Sequence, residues 1–193
     1  MKSFQERKMY SITYETEILK TVEELGFNVA KNGTEHTHSD FVSLLRRSTD
    51  QTSLSIRYQP DAVCNIHYFN EIRSFYLEIK NSKFIEKLAY EQYMKLYNNG
   101  NIVVIVFENR DWTFVENLKL ISGQVYVSKY SNPYPVDEDD WICPRCSPDS
   151  NWVTTSTNGS GTSYRYVNEN TLYDFSYFKF KIIDRLFPDI LPY

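Results

Sequence analysis

The chain has 193 residues, 25 of them acidic and 21 basic, and 41% of them are hydrophobic. This composition supports one packed domain, with at most an extension, and excludes intrinsic disorder. The longest apolar run, residues 102–107, is far shorter than the roughly 20 residues of a membrane-spanning helix, so we expect no membrane association. Three cysteines, an odd number, argue against a disulfide scaffold, so we expect a protein of a reducing, cytoplasmic compartment.

Hydrophobic periodicity divides the first 110 residues into helices and strands. In chain order the sequence predicts a helix over 14–25, a strand over 27–30, a short helix over 39–45, strands over 54–58, 61–68 and 74–80, a helix over 84–97 and a strand over 102–107. Because the last strand is apolar at every position, we expect it to be buried on both faces of a sheet. The order predicts an α/β fold with a mixed central sheet flanked by helices.

The character of the sequence changes near residue 130. A hairpin is predicted over 152–167, around an Asn-Gly-Ser-Gly segment, and a helix over 171–187, stopped before Pro188. Alternating apolar residues within 178–182 also fit a strand. We therefore divide the chain into a core over 1–130 and a C-terminal extension over 131–193, in which the hairpin and the helix pack on the core.

Two acids and a lysine lie at the ends of neighbouring predicted strands. Asp61 begins one strand, and Glu78 and Lys80 project from the same face of the next, about 7 Å apart along it. If these strands pair, two carboxylates and an ammonium converge, which suits Mg²⁺ together with a substrate phosphate. The lysine could then orient or deprotonate a water or offset charge on the phosphate, as phosphodiester hydrolysis requires. The alternative is an exposed strand with cross-strand ion pairs.

Both flanking helices point a polar side chain inward. At about 100° per residue, Glu15 falls within about 30° of the centre of the apolar face of the first helix, whereas Glu17 falls well outside it. Gln92 likewise falls on the inner face of the second helix. A buried carboxylate is costly unless it is paired, protonated or near a metal. The alternatives are that Glu15 frays into solvent and that Gln92 only bonds a backbone carbonyl.

These residues, in this order, resemble the PD-(D/E)xK nuclease superfamily over roughly residues 10–110. The resemblance is carried by Glu15, Pro60-Asp61, Glu78-Ile79-Lys80 and Gln92. The first helix and the Gly26-Phe27 pair after it are most similar to those of archaeal Holliday-junction resolvases. Two segments depart from those resolvases: residues 31–59 are longer, and residues 131–193 have no counterpart.

The resemblance implies a fold, an activity and a set of site residues. The fold is the restriction-endonuclease-like core, and the activity is Mg²⁺-dependent hydrolysis of DNA phosphodiester bonds, with Mn²⁺ able to substitute. Asp61, Glu78 and the Ile79 carbonyl are the implied metal ligands, Glu15 is an accessory ligand, Lys80 is the catalytic lysine and Gln92 belongs to the catalytic set. The implied partner is DNA, branched DNA included, bound by a homodimer.

Local basic residues are the candidates for binding DNA, because the net charge of −4 gives no overall signature of it. Arg46, Arg47, Lys83 and Lys87 are the predicted nucleic-acid-binding residues. A solvated helix face explains Arg46 and Arg47 equally well.

Two smaller motifs remain outside this scheme. Cys143 and Cys146 form half of a zinc site, but a loop with two reduced thiols is the favoured interpretation, since a second ligand pair is missing. His36 and His38 fit an exposed polar loop better than a metal site. Two other functions stay open: a catalytically silent nucleic-acid-binding or assembly protein on the same fold, and a restriction-type sequence-specific nuclease.

Overall fold

The computed structural model describes residues 4–32, 50–120, 123–125, 134–136 and 164–189. Four α-helices lie within these ranges: α1 Phe4–Glu24, α2 Gln51–Arg57, α3 Lys87–Asn98 and α4 Phe178–Leu186. The strands are β1 Asn28–Lys31, β2 Ala62–Tyr68, β3 Glu71–Ile79, β4 Phe84–Glu86, β5 Val103–Val106, β6 Trp112–Phe114, β7 Gly123–Val125, β8 Tyr134–Val136 and β9 Tyr164–Tyr166.

The central sheet has five strands in the order β1-β2-β3-β5-β6. Strand β3 runs antiparallel to β2 and parallel to β5, and the two outer pairs are antiparallel. Strands β4 and β9 form a separate two-stranded sheet, as do β7 and β8. The predicted α/β architecture, a mixed central sheet flanked by helices, is confirmed.

Each face of the sheet packs against its own helices. Helices α1 and α4 cover the face that carries Phe75 and Leu77 of β3. Helix α3 and the segment after β6 cover the opposite face, together with Tyr58 at the end of α2. Strand β5 supplies buried side chains to both layers and is buried at all four positions, as its unbroken apolar sequence predicted.

Helix α1 ends where the sequence predicted and begins ten residues earlier. Gly26, with φ +95°, takes the left-handed conformation that commonly follows the last helical turn. The early turns lack glycine and proline, but their apolar residues Met9 and Ile12 are exposed, so no buried face signals them. As a result, Glu15 lies in the middle of a 21-residue helix and not at its frayed start.

One predicted element in the first half of the chain was wrong in type, and another was wrong in where it begins. Residues 54–58 were expected as a strand, but α2 covers most of them. The Asp50 side chain accepts a hydrogen bond from the Ser53 amide at 2.9 Å, which caps the first turn. The helix expected over 84–97 begins only at Lys87, because residues 84–86 pair with β9 instead.

The C-terminal helix expected over 171–187 is also shorter than predicted. Asn168 and Asp174 cap separate 3-10 turns, and the Tyr173 backbone pairs with Trp112 of β6, so the α-helix starts at Phe178. The helix expected over 39–45 and most of the hairpin expected over 152–167 lie outside the described residues. The division into core and extension stays a prediction, although α4 contributes Phe178, Ile182 and Leu186 to the core. Among the described helices, none has the length and apolar character to cross a bilayer.

Candidate functional site

The strand register brings Asp61 opposite Glu78. Pairing of Ala62 with Leu77 sets the antiparallel register of β2 and β3, and Asp61 and Glu78 are the next facing positions. Asp61 Oδ2 accepts a hydrogen bond from the Ile79 amide at 2.7 Å. Since side chains alternate along strands, both carboxylates lie on the face of the sheet covered by α3. The predicted pairing of the two strands is therefore present.

Lys80 completes the group. Its Nζ lies 2.6 Å from Glu78 Oε1, and its amide donates to the Val106 carbonyl at 2.7 Å, which ties this end of β3 to β5. Burial disfavours the charged ammonium, but the adjacent Glu78 carboxylate and then Asp61 more than offset that effect, so the net pKa of Lys80 is raised. Lys80 is therefore a cation in the metal-free protein.

The carboxylates outnumber this cation. Burial, and next the repulsion from Glu78, raise the pKa of Asp61 well above its usual range, although Lys80 and the Ile79 amide act in the opposite direction. Asp61 therefore takes up a proton more readily than an ordinary aspartate does.

The donor set fits Mg²⁺, a hard cation that proteins bind through one or two carboxylates plus other oxygens. Within the described ranges, no three His, Cys, Asp or Glu side chains are grouped to hold a metal ion. The carboxylates that the structure does bring together are the pair Asp61 and Glu78.

Glu15 approaches the group from the other layer of the molecule. Helix α1 packs on the opposite face of the sheet, yet the negative charge of Glu15 contributes to the raised pKa of Asp61. The Glu15 side chain is 14% exposed, and its Oε1 lies 3.3 Å from Lys31 Nζ. Glu17 is exposed, as its helical phase predicted. Sequence reasoning missed Lys31, since no pattern marks an exposed lysine at the end of β1 as the partner of a helix residue.

Helix α3 carries two buried polar side chains beneath the same end of the sheet. Gln92 is 7% exposed, in agreement with its predicted inward phase. Tyr93, which sequence reasoning missed, is 1% exposed, and its hydroxyl hydrogen-bonds with Glu78. Burial, and next the negative charge of Glu78, raise the pKa of Tyr93 well above its usual range. Helical phase places Tyr93 inward, but a tyrosine there is indistinguishable in sequence from an ordinary core residue.

The predicted nucleic-acid-binding residues are only partly described. Arg46 and Arg47 lie outside the described residues. Lys83 forms an ion pair with Glu169 of the C-terminal segment, and Lys87 Nζ lies 4.0 Å from Glu91 one turn along α3. Their binding of DNA therefore stays a prediction.

The histidine and cysteine motifs also lie outside the described residues. Their members are His36, His38, Cys143 and Cys146. Cys64 is a buried thiol of β2, and burial raises its pKa to about 12, so it stays protonated at neutral pH.

Comparison with known proteins gives a distant structural likeness. No protein-family model matches the chain, and no curated protein sequence matches it. Among solved structures, it is similar to Hjc, a Holliday junction resolvase from the archaeal hyperthermophile Archaeoglobus fulgidus. The two share 15% sequence identity, with a TM-score of 0.33 over 67% of this chain and 84% of the other. What the chain does is therefore inferred from its own residues.

Proposed function

We propose that the protein is a Mg²⁺-dependent endonuclease that hydrolyses phosphodiester bonds in DNA. The observation that carries this proposal is the meeting of Asp61, Glu78 and Lys80 at one end of the sheet, held by the Ile79 amide and the 2.6 Å ion pair. Two carboxylates beside one ammonium provide oxygen ligands for a divalent cation and a positive group for the phosphate. The same residues have no need to converge in a protein that only maintains its fold.

The proposed site residues have two roles, namely binding the cation and stabilising the phosphate. Asp61, Glu78 and the Ile79 carbonyl would hold Mg²⁺, with Mn²⁺ able to replace it. When bound, the cation supplies positive charge that stabilises the phosphate in the transition state. Lys80, as an ammonium, would donate hydrogen bonds to a phosphate oxygen and offset the charge that develops there. It would accept a proton from the attacking water only in its neutral form, after releasing its own proton to solvent.

Glu15 adds a third carboxylate at the edge of this group. Its shielded position on α1 and its electrostatic influence on Asp61 suit an accessory ligand that acts through water. Gln92, buried on α3, is proposed as part of the catalytic set, where its amide orients groups at the inner side of the site.

DNA binding is proposed for the basic residues around the site. Arg46, Arg47, Lys83 and Lys87 would contact backbone phosphates, which position a nucleic acid without reading its sequence. Lys83 must then exchange its partner Glu169 for a phosphate. We further propose a homodimer that acts on branched DNA, in which each of the two sites cuts one strand.

A substrate panel tests the function. Purified protein is incubated with a four-way junction, a linear duplex, single-stranded DNA and duplex RNA, each with Mg²⁺, with Mn²⁺ and with EDTA. We expect nicking of DNA with either metal and none in EDTA, and a faster rate on the junction supports the resolvase-like form. Binding of DNA without cleavage under any metal would contradict the proposal and favour a catalytically silent binding protein.

A further inference from the structure

The Tyr93 side chain lies directly beneath the proposed metal site. It extends from α3 into the core layer that also contains Ala89 and Ile105, and it is fully buried there. Its hydroxyl hydrogen-bonds with the carboxylate of Glu78, which is itself 5% exposed. A phenylalanine would fill the same space, so packing alone does not account for the hydroxyl.

Two donors therefore act on one carboxylate. The Lys80 ammonium lies 2.6 Å from Glu78 Oε1, and the Tyr93 hydroxyl approaches from the helix layer. Lys80 alone would allow Glu78 to rotate toward it, since a lysine is a flexible point charge. A second donor on a rigid ring limits that rotation. A tyrosine hydroxyl is protonated at neutral pH and can therefore donate to this carboxylate.

We propose that Tyr93 is a positioning residue whose hydroxyl fixes the orientation in which Glu78 presents its carboxylate to the divalent cation. This inference rests on the proposed function, since it assigns Glu78 the role of a ligand. Hydrogen-bond partners of metal ligands typically contribute about 10–100-fold to metal affinity or activity. The hydroxyl acts through Glu78 and does not itself touch substrate.

The test compares Tyr93→Phe with Tyr97→Phe. Tyr97 lies one turn further along α3, is half-buried and packs against the same layer, so it controls for loss of a hydroxyl from this helix. Two quantities are measured: Mn²⁺ binding in the absence of DNA, by calorimetry or electron paramagnetic resonance, and the nicking rate as a function of Mg²⁺ concentration. Thermal unfolding in EDTA verifies that each variant is folded.

We expect Tyr93→Phe to bind Mn²⁺ about tenfold more weakly or worse, and to need correspondingly more Mg²⁺ for half-maximal nicking. Tyr97→Phe should match the wild type in both. Wild-type Mn²⁺ binding and an unchanged Mg²⁺ requirement in folded Tyr93→Phe would overturn the inference. Mn²⁺ binding by the wild type without any nicking would contradict the nuclease proposal, while a weaker Tyr93→Phe would still support positioning of Glu78.

Discussion

At Asp61, the protein keeps a carboxylate where burial and the neighbouring Glu78 both disfavour its charge. Folding normally avoids such a position, because desolvating an ion costs more than one neighbouring cation returns. The Ile79 amide and Lys80 compensate only in part. A divalent cation held by Asp61 and Glu78, as proposed, would offset the repulsion between the two carboxylates.

The first prediction concerns stability without metal. A folded-state pKa raised above the unfolded value means that the contribution of Asp61 to stability is complete at acidic pH and is lost as pH rises through the folded pKa. Asp61→Asn keeps an oxygen for the Ile79 amide and removes the charge. In EDTA its free energy of unfolding should equal or exceed that of the wild type, with an advantage that grows from pH 5 to pH 8. Urea unfolding measures this, and Asp184→Asn, at an exposed position of α4, should show no such trend.

Lys80 gives the second prediction. Its proposed role lies mainly in the transition state, so Lys80→Ala should lower the single-turnover nicking rate by about 10²-fold or more. DNA binding, measured by gel shift in Ca²⁺, should change little. The control is Lys20→Ala, which removes an exposed lysine paired with Glu24 at 3.8 Å on α1. A wild-type rate in Lys80→Ala would leave Lys80 as no more than the ion-pair partner of Glu78.

Among the elements, α1 is tied by hydrogen bonds to the segment that follows β5. The Tyr14 hydroxyl donates to the Phe107 carbonyl just beyond β5 and accepts from the Arg110 amide at 3.2 Å. These bonds fix the helix at the same end of the sheet as Lys80, whose amide bonds Val106. Glu15, the next residue along α1, is therefore held close to the site by its neighbour.

The third prediction separates the two glutamates of this helix turn. Glu15→Gln should lower the nicking rate at least about tenfold, because it removes a shielded negative charge that acts on Asp61. Glu17→Gln should leave the rate unchanged, since Glu17 is exposed. Initial nicking rates at a fixed Mg²⁺ concentration measure both. The reverse ranking would place the wrong face of α1 at the site.

Sequence reasoning succeeded for elements whose burial pattern has a single interpretation. The alternation through Phe75, Leu77 and Ile79 specified β3, and with it the direction of Glu78 and Lys80. The pattern through Leu54 and Tyr58 fits either a strand or one face of a helix, and the cap at Asp50 decides for the helix. Strand β4 depends on β9, some 80 residues away in sequence, and no local pattern predicts such a pairing. The contacts of Tyr93 with Glu78 and of Lys31 with Glu15 likewise join residues that are distant in sequence, so no local pattern predicts them.

At the scale of the whole molecule, residues 164–169 pack beside residues 83–86, which follow the proposed site in the chain. Strand β9 pairs with β4, Val167 bridges to Leu120, and Glu169 then reaches Lys83. Glu169 thus forms an ion pair with Lys83, which is proposed to bind a phosphate of the DNA. The pair is at least partly exposed, so it contributes little to folding stability. Replacing Glu169 by a DNA phosphate as the partner of Lys83 therefore costs little free energy.

The fourth prediction follows from that exchange. Glu169→Gln should tighten DNA binding severalfold at low salt, because Lys83 no longer has to release a carboxylate. The gain in affinity should shrink as the salt concentration increases. The reason is that contacts with DNA phosphates, in the wild type and in the variant, release counterions and therefore weaken with salt. Fluorescence anisotropy with a labelled junction measures the affinities. Glu71→Gln, which breaks the Arg73 pair at the far hairpin, should leave the affinity at the wild-type value.

The central claim, that Asp61 and Glu78 form the metal site of a nuclease, is tested most directly by the nicking rate of Asp61→Asn. Wild type, Asp61→Asn and Asp184→Asn are compared on the same DNA at saturating Mg²⁺, after thermal unfolding shows that all three are folded. We expect nicking by the wild type and by Asp184→Asn at equal rates, and none above the EDTA background by Asp61→Asn. Nicking by Asp61→Asn at the wild-type rate would contradict the claim and place the activity elsewhere.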